Sequence, residues 1–173
     1  MKLTQSLVDV ALVFEGTELE VDSEPYKRLL ENVYSAEGIC GPAQASLVFV
    51  DEALMAKLNL EYRSKDYPTD VLSFAIDDLS DEQAELIGDI IICPSVAREN
   101  AKGNGNSFID ELALLVVHGA LHLLGMDHED DSEALVMEER ERGYLGQFWG
   151  ADTKTAILAG KDVHTHLARA EAQ

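Results

Sequence analysis

The sequence predicts a single α/β domain in which a small sheet is covered by helices. Segments that are typical of strands and segments with helical spacing of apolar residues follow one another in the order β-α-β-α-β-β-α-α-α. The chain has 173 residues, which suits one ordinary core and is short for two domains. We expect the domain to span residues 1–150, followed by a weakly patterned tail at residues 151–173.

The first half of the chain contains two strands and two helices. Residues 9–14 and 45–50 are mostly apolar and predict strands. Between them, Ser23-Glu24-Pro25 predicts a helix start, because serine caps helices and proline suits the first turn. Gly38 and the Gly41-Pro42 pair end that helix. Asp51 is the expected cap of the next helix, which the Tyr67-Pro68 pair stops.

The second half predicts two more strands and three helices. Residues 70–76 form the third strand, and residues 88–93 form a fourth, mostly apolar strand that we expect to be central. A helix at residues 95–101 ends in the glycine-rich stretch 103–106. Ser107 and Asp110 resemble a capping box for a helix that runs to Gly125, and a last amphipathic helix spans residues 131–142.

Charge and composition exclude some classes of function. The net charge is −20, which argues against a broad nucleic-acid-binding face. No apolar stretch is long enough to span a membrane, and residues 1–6 lack the pattern of a signal peptide, so we expect a cytoplasmic protein. Cys40 and Cys93 form no CxxC pair and are expected to be buried, reduced thiols. Several cations of the middle segment leave room for a local basic patch beside an active site: Lys57, Arg63, Lys65, Arg98 and Lys102.

The most informative segment is the histidine-rich stretch at residues 118–128. His118 and His122 are four residues apart on a predicted helix, so their rings share one face. Gly125 ends the helix and lets His128 supply a third nitrogen from the following loop. Three imidazoles with a fourth position open are typical of a catalytic Zn²⁺, which activates a bound water. The sequence therefore predicts one zinc ion per chain and a metal-dependent hydrolase.

The spacing of these histidines matches that of the metzincin proteases, but the glutamate that those enzymes carry after the first histidine is replaced by Gly119. Peptide hydrolysis with that glutamate as base is therefore not available. Two other interpretations stay open: a chance cluster of histidines, and a structural zinc site, although no thiol lies nearby to close one. His164 and His166, in the tail, are expected not to be ligands.

Three further residues are candidates for the chemistry. Glu111 lies two helical turns before His118, and Asp127 adjoins His128, so either could orient a ligand or transfer a proton, or be a solvated acid. Arg63 lies in the last turn of the second helix, where its guanidinium could hold a phosphate; the alternative is a surface arginine favoured by the helix C-terminus.

Two stretches together resemble the YbeY family of bacterial endoribonucleases, also called rRNA maturation factors. The family pattern is roughly N-x-x-Y-R-x-x-D-x-P-T-D/N-V-L-S-F-P, then G-D-I, then H-G-x-L-H-L-x-G-Y-D-H. The chain matches it at Asn59, Tyr62-Arg63, Asp66, residues 68–74, 88–90 and 118–128. Ala75 and Met126 depart from the pattern, and neither removes a metal ligand. The resemblance covers about residues 7–147.

The resemblance implies a zinc-dependent, single-strand-specific endoribonuclease that acts in 16S rRNA 3′-end maturation and ribosome quality control. It implies that His118, His122 and His128 bind the metal, that Arg63 is the main substrate-site residue, and that the sheet is mixed and four-stranded. Its implied partners are the 16S rRNA precursor and the ribosome or its small-subunit proteins. The rival hypotheses are a non-catalytic ribosome assembly factor with a structural zinc, and a zinc hydrolase of another small substrate.

Overall fold

The computed structural model describes residues 8–39, 42–76 and 85–150, which form one four-stranded sheet and five helices. The order of these elements is the predicted one. Their bounds are β1 (Val8–Glu15), α1 (Glu24–Ala36), β2 (Ala43–Val50), α2 (Glu52–Arg63), β3 (Val71–Ala75), β4 (Glu85–Ile92), α3 (Pro94–Asn104), α4 (Phe108–Leu123) and α5 (Asp131–Phe148).

The sheet is mixed, with the strand order β1-β2-β4-β3. Strands β1, β2 and β4 run parallel to one another, and β3 runs antiparallel to β4 at the edge. The predicted central position of β4 is confirmed, and the mixed four-stranded sheet implied by the family resemblance is also found. The carboxyl end of β3 therefore lies at the edge of the sheet, beside the amino end of β4.

Helix α4 is the centre of the main hydrophobic core. Its residues 111–121 are all buried, and the helix packs against α1, α3, α5 and the two strands β3 and β4. Residues such as Ile90, Ile92 and Val71 cover it from the sheet. The alternate residues Leu72 and Cys93 belong to a second core that contains Met55 of α2. Because side chains alternate between the faces of a strand, α2 covers the opposite face of the sheet from α4.

Helix α2 ends at Arg63, so Arg63 lies in its last turn as predicted, and Ser64 takes the left-handed conformation at φ 58° before the Tyr67-Pro68 pair is reached. Two other predicted helix ends are wrong. Helix α3 continues to Asn104, and α5 continues to Phe148, six residues beyond the expected end. The caps differ as well. Asp51 and Ser107 accept the expected backbone hydrogen bonds, whereas the Ser23 side chain makes none.

Cys93 is a buried free thiol, as expected, and Cys40 lies outside the described residues. The tail histidines His164 and His166 also lie outside them. Among the helices of the described residues, none has the length and hydropathy needed to cross a membrane.

Candidate metal centre

Three histidine side chains converge at the carboxyl end of α4. His118 and His122 are one helical turn apart, and their Nε2 atoms are 3.0 Å from each other. Gly125 then takes a φ of +90°, which L side chains rarely adopt, and the chain turns back towards the helix. This turn brings His128 to the pair, so that one ring nitrogen from each histidine lies within 4.8 Å of the other two. The structure thus brings together the three residues that the sequence spacing singled out.

The protonation state of His122 suits a cation. Burial first, and then the neighbouring rings of His118 and His128, lower the pKa of His122 to about 4, against the opposing effects of Asp127 and the Met126 backbone. His122 is therefore a neutral imidazole near pH 7, with a lone pair to donate. Neutral imidazole nitrogens are the form in which histidine binds zinc and related transition metals. The chemistry of the donor set therefore fits a divalent metal ion of that class.

Two hydrogen bonds orient the rings of His118 and His122 from the side that faces away from the centre of the cluster. The Nδ1 atom of His118 lies 2.7 Å from Oε1 of Glu141, and both side chains are almost fully buried. A hydrogen bond to the backbone of Met126 holds the His122 ring. Since Nε2 of His122 faces His118, Nδ1 is the nitrogen left for the Met126 bond. Both rings consequently direct Nε2 towards the centre of the cluster.

Glu141 was missed in the sequence analysis because it stands in the charged run 138–142, which is typical of a solvated helix face. One signal could have found it. Met137, Glu141 and Leu145 are spaced four residues apart, so they form a single stripe of α5, and all three are buried. A carboxylate in the middle of an apolar stripe needs a partner inside the protein, because an unpaired buried charge is costly.

The close packing around Gly119 explains why this position does not carry the glutamate of the metzincins. A Cβ atom at this position would lie 2.8 Å from Cγ2 of Ile90 and 3.1 Å from Oγ of Ser73. The Ser73 hydroxyl also donates a hydrogen bond to the backbone oxygen of Gly119, at 3.4 Å. Position 119 therefore faces the sheet at close range, and a glutamate side chain has no room there.

The two acidic candidates have different surroundings. Asp127 is exposed and accepts a hydrogen bond from the backbone N–H of His128, which helps to shape the loop that carries the third histidine. Glu111 is fully buried near the start of α4, where Asn106 and Asn104 donate hydrogen bonds to its carboxylate at 2.8 and 3.4 Å. These bonds tie the α3–α4 connection to α4. They favour a structural role for Glu111, and its role in proton transfer stays a prediction.

The candidate cations divide into two groups. On α3, Arg98 pairs with Glu20 at 2.8 Å and stacks on the ring of Phe108, and Lys102 pairs with Glu99 at 2.7 Å. The second group lies on or just after α2: Lys57 and Arg63 are exposed, and Lys65 is half-buried. Acids therefore neutralise part of the charge of both α3 cations.

Arg63 comes directly after Tyr62, whose aromatic ring connects the end of α2 to the edge strand β3. The ring of Tyr62 lies 4.7 Å from that of Phe74, near the carboxyl end of β3. On the other face of β3, Ser73 contacts Gly119 beside His118. Helix α2 therefore ends beside the same part of the edge strand that the histidine-bearing helix covers from the opposite face.

Comparisons with known proteins agree with the geometry. The sequence profile described as Endoribonuclease YbeY matches residues 13–149. Proteins named Endoribonuclease YbeY include one from Moorella thermoacetica, 45% identical over 68% of this chain and 81% of its own. Another, from Geobacillus thermodenitrificans, is 36% identical over 82% of this chain and 96% of its own.

A solved structure shows the same fold. The solution structure of TM1509 from Thermotoga maritima superposes with a TM-score of 0.58 and is 33% identical in sequence. The comparison covers 80% of this chain and 89% of that protein.

Proposed function

This chain belongs to the YbeY family of endoribonucleases, and we propose that it cleaves single-stranded RNA with one zinc ion held by His118, His122 and His128. The observation that carries the proposal is the convergence of three imidazole nitrogens within 4.8 Å at the end of α4. A metal bound there would supply Lewis-acid chemistry on a phosphodiester and activate water. We propose zinc rather than another metal because three histidines with a fourth position open are typical of catalytic zinc sites.

Arg63 is the proposed substrate-site residue. Its planar guanidinium can donate two parallel hydrogen bonds to phosphate oxygens and can neutralise charge that develops during cleavage. The position supports this role, since Arg63 is exposed at the end of α2, beside the part of β3 that α4 covers from the other face. Lys57 and Lys65 are proposed to add RNA contacts on the same side. Arg98 and Lys102, which each pair with a glutamate, are further candidates for RNA contacts.

The proposed substrate in the cell is the 3′ end of the 16S rRNA precursor, with a role in ribosome quality control and with the ribosome or its small-subunit proteins as partners. The strongly acidic chain, with a net charge of −20, suits docking on basic ribosomal proteins more than docking on bare RNA. The cytoplasm is the compartment that this role requires.

The test is metal analysis coupled to RNA cleavage. We expect about one zinc per purified chain, cleavage of a single-stranded RNA, much slower cleavage of the same sequence in a duplex, and loss of activity after chelation that zinc restores. A variant carrying both His118→Ala and His122→Ala should contain almost no zinc and should not cleave. Full zinc content in that variant would refute the site, and zinc-loaded wild-type protein without RNA cleavage would favour the assembly-factor hypothesis.

The same assay addresses the nucleophile. Attack by the 2′-hydroxyl must leave a 2′,3′-cyclic phosphate, whereas attack by water need not. A substrate with a single 2′-deoxy residue at the cleaved position therefore distinguishes the two routes.

A further inference from the structure

The contact between Glu141 and His118 joins α5 and α4 through two buried polar side chains. The Nδ1 and Oε1 atoms are 2.7 Å apart, and the exposed fractions of the two side chains are 3% and 2%. A buried carboxylate is strongly destabilising unless a hydrogen bond or a countercharge compensates for it. An apolar residue would complete the stripe formed by Met137 and Leu145 at no such cost.

The contact also determines which nitrogen of His118 carries the proton. A carboxylate only accepts hydrogen bonds, so Nδ1 must be the donor, and Nε2 is then left with its lone pair. That lone pair points at Nε2 of His122, 3.0 Å away. The two Nε2 atoms therefore lie close enough together to bind one cation.

We propose that Glu141 is a positioning residue for the metal centre: its carboxylate fixes His118 in the Nδ1–H tautomer and directs Nε2 at the metal. The inference rests on the proposed metal site and names a residue that the three-histidine pattern does not contain. Carboxylate partners of metal-bound histidines act in this way elsewhere, and their loss typically lowers metal affinity by about 10–100-fold. The same contact makes the docking of α5 part of the metal site, although α5 supplies no ligand.

The central experiment compares Glu141→Gln with Glu139→Gln in the full chain. Glutamine is nearly isosteric with glutamate but neutral, so it weakens the acceptor and can donate to Nδ1 instead. Glu139 is an exposed acid two residues away on the same helix, so it reproduces the loss of charge alone. We expect zinc affinity, measured by competition with a chromophoric chelator, to fall about 10–100-fold in Glu141→Gln and to stay within about twofold of wild type in Glu139→Gln.

A second readout does not depend on metal. Long-range proton–nitrogen NMR of the metal-free protein reports which ring nitrogen of each histidine is protonated, with signals assigned by single histidine variants. We expect Nδ1–H at His118 in wild type and in Glu139→Gln, and a mixture or the Nε2–H form in Glu141→Gln. The Co²⁺-loaded proteins should show a matching change in visible absorption. Glu141→Asp, which keeps the charge but shortens the side chain, should lie between wild type and Glu141→Gln.

The outcomes separate this inference from the proposed function. Nε2–H at His118 in the wild-type protein would overturn the positioning role even if Glu141→Gln failed to fold. Equal zinc affinities of wild type and Glu141→Gln would overturn it as well. A third outcome would instead contradict the proposed metal: wild-type protein that binds no zinc although His118 is in the Nδ1–H form. In that case the carboxylate fixes the tautomer, but the three histidines do not bind zinc.

Discussion

Gly119 and Ile90 approach each other so closely that a Cβ atom on the glycine would lie 2.8 Å from Cγ2 of the isoleucine. This contact sets the distance between the histidine-bearing helix and the sheet. His118 directly precedes Gly119, so a shift of the helix at position 119 would also move the metal centre.

We therefore expect Gly119→Ala to lower the thermal stability of the protein, although alanine is the better helix former by about 1 kcal/mol. Overpacking of a tight contact typically costs about 1–3 kcal/mol, which outweighs that gain. Gly143→Ala is the matched control, because Gly143 lies within α5 and a Cβ there meets nothing within 4 Å. That variant should gain about 0.5–1 kcal/mol. Equal melting temperatures for the two variants would contradict the close packing at position 119.

Substitution of Arg63 should affect cleavage and leave zinc content and stability unchanged. Loss of one electrostatic contact in a catalytic site typically costs about 10²–10³ in rate, so Arg63→Glu should nearly abolish RNA cleavage. Arg63→Lys should fall between, because the charge remains and the planar fork is lost. Arg28→Glu makes the same change of charge on α1, at the far end of α4, and should cleave at close to the wild-type rate. Wild-type cleavage by Arg63→Glu would show that another cation holds the phosphate.

The metal-free protein should lose stability as the pH falls from about 6.5 to 4. Free histidine binds a proton near pH 6.5, whereas burial lowers the pKa of His122 in the folded protein to about 4. Between these values the unfolded chain holds the extra proton, so the free energy of unfolding decreases as the pH drops. His122→Asn should lose less stability over the same window. We expect a difference on the order of 1 kcal/mol in urea titrations with chelator present, because the ring is partly exposed and water screens its neighbours. Parallel pH profiles for the two proteins would contradict the depressed pKa.

A chain that ends at Gly150 should keep its fold, its metal and its activity on a short RNA. Trp149 anchors the end of α5: its Nε1–H donates to Asp110 at 2.9 Å, and its ring lies 5.1 Å from that of Tyr26. A chain that ends at Phe148 lacks both contacts and should lose about 2 kcal/mol of stability, followed by circular dichroism. Inactivity of a folded, zinc-loaded chain that ends at Gly150 would assign a role in the chemistry to residues 151–173.

The order of the elements could be predicted from the sequence because the strands and helices have clear hydrophobic periods. Some helix ends could not be predicted from the sequence. Helix α5 continues through Gly143, which disfavours a helix, because the rings of Tyr144 and Phe148 pack together and against the main core. Helix α2 ends where Ser64 takes a left-handed conformation, and a serine gives no sequence signal for that conformation.

The candidate site likewise has a part that could be predicted from the sequence and a part that could not. The three histidines are close in sequence, so helix periodicity and one glycine turn suffice to bring them together. Glu141 lies 23 residues from His118, and its contact depends on how α5 packs against α4. Arg63 became a candidate through a motif, since nothing in its local sequence reveals what lies across the edge strand.

The central position of α4 also determines how the metal centre opens. Amide hydrogens in a helix buried on all sides exchange with solvent through the largest unfolding events, whereas loop amides exchange through local opening. His118 and His122 belong to that helix, and His128 to the half-exposed loop. In deuterated water we expect slow exchange across residues 112–121 and fast exchange across residues 126–130. Zinc should slow exchange in both segments, because opening of the loop and unfolding of the helix both release it. We therefore expect the proposed metal to leave through the loop, at a rate set by release of His128.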